Sequence, residues 1–385
     1  MENELLQTVI PVAEMLIIKR DVDLLVKMAT TQPRIDPIFI NQIMPYMAMV
    51  GYEAVNFMNK IGANIEIDQK SKFSMVDVRN KAKFFDLKFT QIMQCTSNVD
   101  ELQHRYFAED MKYPKLAKWN IHDNLGIYFN SEKKVIGNTQ YQVWIFQDNN
   151  TLKKPIDLMD RFMIQSRDAN EFGHDVGGLI GQVSGSLEAA KDFMLHDVDF
   201  RYFKYYANDF NTNRCKTAEN ENYKTIRLLL LHILSSVGFM LYGAKKCIVR
   251  ENGFLLRIEY IALHYALKRL SEIKKFLERD DMINDVKLLE CASRFCFDGN
   301  SVLNADFGKC MRHYGLRDKD EKPAVISDKF DLALPFCGLI ESYYDTTYSE
   351  YQILVESELE KIYTSLHEYL QIEAMLSPSS DVLIK

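Results

Sequence analysis

An almost uninterrupted apolar stretch, residues 228–242, places the strongest constraint on how this chain can fold. The residues in it that are not apolar are His232, Ser235, Ser236 and Gly238. The stretch is shorter than the roughly 20 apolar residues that a helix needs to span a bilayer. We therefore expect a helix buried at the centre of a soluble protein, with membrane contact as the alternative.

Length and charge limit the classes of protein that fit. A chain of 385 residues is longer than one hydrophobic core usually organises, which predicts two domains, with one large helical body as the alternative. The hydrophobic share of 47% and charged share of 26% are typical of an ordered globular protein. A net charge of −7 disfavours a general nucleic-acid coat, since phosphate binding would then need a local basic patch.

The cysteines and the N-terminal residues indicate in which cellular compartment the protein is expected. Seven cysteines are an odd number, and no two of them have the two-residue spacing of zinc knuckles, so reduced thiols are expected. Residues 1–18 contain three glutamates and no basic residue, which disfavours a secretory signal or a transit peptide. Together these features predict a cytoplasmic protein that does not contact a membrane.

The first half of the sequence predicts helices with a small β element. Apolar periodicity indicates helices over 4–28 with a break near 19–23, over 33–59 and over 75–93. A short strand is predicted at 65–67, and aromatic and β-branched enrichment predicts strands at 126–130 and 140–147, joined by a turn at 131–138. Residues 1–207 are thus predicted to form an α-rich N-terminal domain with a small β-hairpin.

The second half predicts helices alone. A polar segment, 208–222, is the predicted linker, and 377–385 the predicted tail. Helices are predicted over 225–244, 254–277, 282–297 and 302–314, and from Ser349 onward after a proline-containing loop at 317–334. Gln352 could complete a capping box with Ser349. The predicted fold class is therefore mainly α, with a C-terminal helical bundle over 223–376.

Motifs for a cofactor or a metal are absent from the sequence. The glycine-rich segment 173–185 lacks the preceding strand and the spacing of a phosphate-binding loop, and it favours close helix packing or a hinge. A catalytic zinc helix is also missing, which favours a solvated acidic loop over a metal site at the nearest polar cluster: His174, Asp175, His196, Asp197 and Asp199. We expect no cofactor and no metal.

Two segments of the predicted bundle resemble the C-terminal domains of the HEPN superfamily. They are FLLRIEYIALHYALKR at 254–269 and FGKCMRHYGL at 307–316, and the resemblance covers at most residues 217–376. These helical-bundle domains are common in bacterial toxin and phage-defence proteins. In active members an Arg and a His a few residues apart meet their copies across a homodimer and cleave RNA without a metal. The resemblance implies an HEPN-like bundle and a homodimer formed through it.

The resemblance also implies a catalytic role for His313. Imidazole supplies an acid or base near neutral pH, and a fixed cation stabilises the phosphate. Where the family has Arg ahead of His, this chain has Asp, Phe and Gly at 306–308, so Lys309 or Arg312 would have to bind the phosphate. The departure leaves two options: a ribonuclease centred on His313, or a fold that has lost activity and serves binding.

Other Arg and His pairs in the sequence have a similar spacing. Arg257 and His264 are seven residues apart, on one face of a helix, and are predicted to line a groove that faces His313 and binds nucleic acid. Arg227 and His232 lie in a run of leucines, where buried and hydrogen-bonded side chains are expected instead.

In an aromatic run at 200–206, with the sequence FRYFKYY, Arg201 and Lys204 alternate with phenylalanine and tyrosine residues. Such a run can stack nucleic-acid bases and hold phosphates, and Arg201 and Lys204 are therefore candidate RNA-binding residues. The alternative is that the aromatic residues form a seam between domains.

Two functions remain open from the sequence. The first is a metal-independent ribonuclease or toxin of bacterial stress or phage defence, acting on RNA. The second is a non-enzymatic interaction or scaffold protein whose N-terminal half recognises a protein partner. The abundance of Tyr, Phe and Met suits an interaction surface as well as a core.

Overall fold

The structure of the chain is a computed structural model. It describes residues 2–31, 36–67, 70, 74–83, 87–105, 124–146, 166–187, 198–215, 221–249, 253–279, 285–317 and 329–376. These residues are mainly helical and contain a three-stranded antiparallel sheet. The predicted mainly α class is confirmed at this level.

The helices that the structure describes in the first half of the chain are α1 (Glu2–Thr30), α2 (Pro37–Lys60), α3 (Met75–Lys81), α4 (Phe89–Arg105), α5 (Thr139–Phe146) and α6 (Ser166–Ser186). Helix α5 contacts the sheet, whereas α1 and α2 pack on each other and on α6. Helix α2 begins sharply because Asp36 accepts a hydrogen bond of 2.7 Å from the Ile38 N–H, and because Pro37 occupies the first helical position.

The helices of the second half follow at short intervals. They are α7 (Glu221–Phe239), α8 (Gly253–Leu277), α9 (Val286–Ser293), α10 (Ala305–His313), α11 (Pro335–Tyr344) and α12 (Tyr348–Leu370). A π-helical turn, Met240–Ala244, extends α7 to Cys247. Asn304 caps the start of α10 by accepting hydrogen bonds from the N–H groups of Asp306 and Phe307, and Tyr314 ends that helix in the left-handed conformation, with φ 56°.

The sheet has the strand order β2–β1–β3, formed by β1 (Leu125–Asn130), β2 (Val135–Asn138) and β3 (Tyr205–Phe210). The predicted strand at 126–130 is confirmed as β1, but the predicted strand at 140–147 is wrong, because residues 139–146 form α5. Asn138 accepts a hydrogen bond of 2.9 Å from the Tyr141 N–H and so starts this helix. Burial in the core then outweighs the β propensity of its aromatic and β-branched residues.

Several predicted boundaries also differ from the structure. Helix α1 runs without a break through residues 19–23. The predicted helix 75–93 is two helices in the structure, since α3 ends at Lys81 and α4 begins at Phe89. Residues 65–67 are not a strand, since Asn59 binds both the N–H and the carbonyl oxygen of Ile65 with its side chain. The N-cap of α12 lies two residues earlier than predicted, at Thr347 in place of Ser349, and its capping box is formed with Glu350 in place of Gln352.

The predicted central helix is confirmed. Residues 222–247 form a helix that is long and apolar enough to cross a membrane. However, 89% of its apolar 18-residue stretch is buried inside the structure, as expected for the core helix of a soluble protein. Helix α7 packs on β2 and on α12, and Gly238 lies against the carbonyl oxygen of Val135. One hydrophobic cluster includes residues from both halves of the chain.

A buried polar network joins the sheet to α4 and α7. Asp100 accepts hydrogen bonds from Asn124 (3.1 Å) and Gln140 (2.7 Å) and forms an ion pair with Lys224.

The predicted linker between the two domains overlaps the sheet. Strand β3 ends at Phe210, inside the predicted linker 208–222, and α7 begins at Glu221. The division into domains 1–207 and 223–376 therefore stays a prediction, although part of the linker belongs to the sheet.

Candidate active site

His313 lies in a cleft between the two N-terminal helices and the end of α10. The cleft has a volume of about 820 Å³ and is formed by α1, α2, α10 and the loop that follows α10, and we call it the α2–α10 cleft. This volume falls in the range of small-molecule and cofactor sites. The charged and titratable side chains that line it are Glu14, Glu53, Lys60, Lys309, His313 and Arg317.

The side chain of His313 is held by a carboxylate from α2. Its Nδ1 lies 3.2 Å from Oε1 of Glu53, and the same oxygen lies 2.9 Å from NH1 of Arg79 in α3. Glu53 and Arg79 are nearly buried, whereas the His313 side chain is 37% exposed. A carboxylate beside Nδ1 favours the tautomer that carries its proton on Nδ1, so Nε2 is the nitrogen that can exchange a proton with a ligand in the cleft.

Lys309 lies one helical turn before His313, on the same face of α10. Its Nζ donates a hydrogen bond to the carbonyl oxygen of Arg317, which folds the loop after α10 back toward the helix. Lys309, Arg317 and His313 all line the α2–α10 cleft. The structure therefore brings together His313 and Lys309, two of the three residues predicted to be catalytic.

The acidic groups of the cleft are engaged by donors. Glu14 accepts a hydrogen bond of 2.8 Å from the Leu316 N–H, and Glu53 contacts both Arg79 and His313. Their negative charge is thus partly offset at short range, and the amine and guanidinium groups of the cleft can attract an anion.

Arg312, the third residue predicted to be catalytic, faces away from the cleft. Its Nε donates a hydrogen bond of 2.8 Å to the carbonyl oxygen of Gly308, and its NH1 lies 3.4 Å from the hydroxyl of Tyr265 in α8. The expected role of Arg312 in binding phosphate beside His313 does not fit this position.

Arg257 is buried in the core and does not line a groove. Its Nε donates to Asp21 in α1 (2.7 Å), and its NH1 donates to the carbonyl oxygens of Cys310 (2.9 Å) and Met311 (2.6 Å) in the last turn of α10. Asp21 also accepts a hydrogen bond of 2.6 Å from the Tyr314 hydroxyl, and burial raises the pKa of that hydroxyl well above its usual value. Arg257 has no exposed surface for nucleic acid, and it holds α10 in place just before His313.

His264 lies among aromatic rings of the same half. Its ring centroid is 4.8 Å from that of Tyr265 and 5.1 Å from that of Phe297. His264 is not among the residues that line the α2–α10 cleft. The predicted groove formed by Arg257 and His264 in front of His313 is therefore not the arrangement in the structure.

The aromatic run at 200–206 turns its phenylalanines inward. Phe200 and Phe203 each lie 5.1 Å from Phe39 of α2, and Phe203 also lies 6.4 Å from Phe239 of α7, so the run packs against both halves of the chain. That it forms a seam between two domains stays a prediction. Arg201 and Lys204 are exposed, and Arg201 forms a bidentate contact with Asp199. Their binding to nucleic acid stays a prediction.

The remaining histidines and acids of the sequence do not form a metal centre in the described part of the chain, where no group of three or more potential ligands occurs. Asp175 accepts a hydrogen bond of 3.0 Å from the Lys70 N–H, while His196 and Asp197 lie outside the described residues. His232 is buried beside Asn138, as predicted, and burial lowers its pKa to about 4.

The groups missed from the sequence come from the first half of the chain. Glu53, Asn56 and Lys60 follow one another at intervals of three and four residues, so they share one face of α2. This polar spacing on an otherwise apolar helix was the available signal. The sequence alone does not show that this face meets His313, which is 260 residues away from Glu53.

Comparison with protein families, with curated proteins and with solved structures found no match for this chain.

Proposed function

We propose that the protein is a metal-independent ribonuclease that acts in the α2–α10 cleft. The observation that carries the proposal is the contact between His313 and Glu53, because it fixes a half-exposed imidazole inside a cleft that also contains Lys309. An oriented imidazole beside a cation is what acid–base cleavage of a phosphodiester requires.

The reaction would use the 2′-hydroxyl of RNA as the nucleophile. Nε2 of His313 accepts the proton of that hydroxyl, the bond from O2′ to phosphorus forms, and the bond from phosphorus to O5′ breaks. Water or the ammonium group of Lys309 donates a proton to the leaving O5′. Lys309 and Arg317 stabilise the charge on the phosphate oxygens, as fixed cations do for a developing negative charge.

The cleft is built by one chain. Glu53 comes from the first half and Lys309 and His313 from the second, so a second copy is not needed to supply the acid–base groups. Self-association through an HEPN-like C-terminal bundle remains part of the proposal, as does the setting of bacterial stress or phage defence, but in this proposal catalysis does not depend on the dimer.

The test is incubation of the purified protein with mixed RNA in EDTA. The wild type should cleave, and His313→Ala should fall to background. His174→Ala removes an exposed histidine on α6, outside the cleft, and should cleave like the wild type. Cleavage that persists in His313→Ala contradicts the role of His313, and RNA left intact by the wild type favours the non-enzymatic binding protein.

A further inference from the structure

The face of α2 that carries Glu53 continues beyond the contact with His313. Asn56 lies one turn further along the helix and Lys60 two turns further, and both line the α2–α10 cleft. With a rise of about 1.5 Å per residue, this face extends roughly 10 Å from Glu53 to Lys60. The cleft is thus longer than the space that one phosphate beside His313 would occupy.

Both side chains are available for a ligand. Within the part of the chain that the structure describes, neither the carboxamide of Asn56 nor the ammonium group of Lys60 has a hydrogen bond or an ion pair. The nearby Asn59 provides the contrast, since its carboxamide binds the backbone of Ile65 at 2.6 Å and 3.0 Å. The carboxamide of Asn59 therefore has a structural role, whereas the polar groups of Asn56 and Lys60 make no such contact with the described residues.

The order of the groups along α2 matches a strand of nucleic acid that lies along the helix. Such a strand, with one phosphate at His313 and Lys309, places its next nucleotide against Asn56 and a further phosphate near Lys60. A carboxamide offers both a donor group and an acceptor group to a base or a sugar, and an ammonium group binds phosphate as a point charge.

We propose that Asn56 and Lys60 form a second subsite of the cleft, which binds the nucleotide and the phosphate that flank the scissile bond. The proposal rests on the proposed ribonuclease function and extends its substrate class to a single strand with at least two phosphates. Lys60 contributes to binding of the strand and not to the chemical step.

Kinetics with two substrates test this subsite. One substrate is a dinucleotide with a single phosphate, and the other is the same dinucleotide with a phosphate at each end. Lys60→Met should raise KM about tenfold for the longer substrate, leave kcat unchanged, and have no effect on the dinucleotide. Because one phosphate contact with a single strand is lost, the slope of log KM against log salt should fall by about 0.7. Lys275→Met, which changes an exposed lysine of α8 outside the cleft, is the control.

The Asn56 substitutions separate its contact from a general effect of charge. Asn56→Ala should raise KM severalfold, and Asn56→Asp should raise it further because a carboxylate repels the strand. Equal KM values for the wild type, Asn56→Asp and Lys60→Met on the longer substrate would overturn the subsite while the ribonuclease function stood.

Binding of a short single-stranded DNA, which has no 2′-hydroxyl and is not cleaved by this reaction, separates the two proposals. Fluorescence anisotropy should show about tenfold weaker binding by Lys60→Met than by the wild type. If Lys60→Met binds the DNA more weakly and the wild type does not cleave RNA, the subsite is supported and the ribonuclease function is rejected. Equal binding by both proteins, or binding by neither, would reject the subsite.

Discussion

Nδ1 of His313 lies 3.2 Å from Oε1 of Glu53, and this contact joins the end of α10 to the middle of α2 across 260 residues of sequence. Arg79 contacts the same carboxylate oxygen from the other side. The imidazole is therefore oriented by a carboxylate that is itself fixed, which is an arrangement suited to proton transfer.

Replacement of Glu53 should slow the chemical step more than it weakens binding. Glu53→Gln keeps a hydrogen-bond acceptor near Nδ1 but removes the charge that stabilises a protonated imidazole, so kcat should fall about tenfold to hundredfold. Affinity for single-stranded DNA should stay the same. Arg79→Met is the matched control, because it removes the other contact of Glu53 and should affect stability more than kcat. A larger loss of kcat in Arg79→Met than in Glu53→Gln would contradict this account.

Turnover per chain should not depend on protein concentration. In the described part of the chain, Glu53, Lys309 and His313 line the same cleft. The rate of RNA cleavage per chain should therefore stay constant when the protein is diluted until it sediments as a monomer. A fall in this rate as the protein dissociates would show that a second copy completes the site.

The sequence revealed the groups of the site that are close together along the chain. Lys309 and His313 are four residues apart, and their common helix face could be read directly. Arg312 and Arg257 were misplaced because spacing does not show which face of a helix is buried. Glu53 could not be assigned at all, since its pairing with His313 depends on how α1 and α2 pack on the C-terminal half.

Stability should fall as the pH drops below 6.5. Burial lowers the pKa of His232 from 6.5 to about 4, so between these values the unfolded chain binds a proton that the folded chain does not. The stabilisation is complete above pH 6.5 and is lost toward pH 4, with an upper value of about 3 kcal/mol. Urea unfolding of the wild type and of His232→Gln over this range measures the effect. Equal slopes of unfolding free energy against pH would contradict it.

Two glycine substitutions should have opposite effects on stability. A methyl group at Gly238 would overlap the carbonyl oxygen of Val135, so Gly238→Ala should destabilise the protein by about 2 kcal/mol or more. At Gly177, on α6, a methyl group meets no atom of the described residues within 4 Å, and Gly177→Ala should stabilise by about 1 kcal/mol. Thermal unfolding compares the two. A destabilised Gly177→Ala would indicate a tight contact at that face.

The glycines of segment 173–185 and Gly238 show why parts of the fold were mispredicted. The segment 173–185 was predicted to pack closely or to act as a hinge, yet it lies in the continuous helix α6, and Gly177, Gly178, Gly181 and Gly185 have no close neighbour in the described part of the chain. A close approach to backbone occurs instead at Gly238, within the apolar stretch. Apolar periodicity indicated most of the helices, but contacts between distant segments decided the rest. Thr347 and Glu350 show the reverse case, since their capping box could have been read from the sequence.

The most direct test of the central claim is a double-mutant cycle of Glu53 and His313, measured as the single-turnover rate of RNA cleavage in EDTA. If the two residues act as one unit, Glu53→Gln alone slows cleavage relative to the wild type, and His313→Ala alone reduces it to background. The double variant is then no slower than His313→Ala. Cleavage by His313→Ala at the rate of the wild type, or independent losses that multiply in the double variant, would contradict the account.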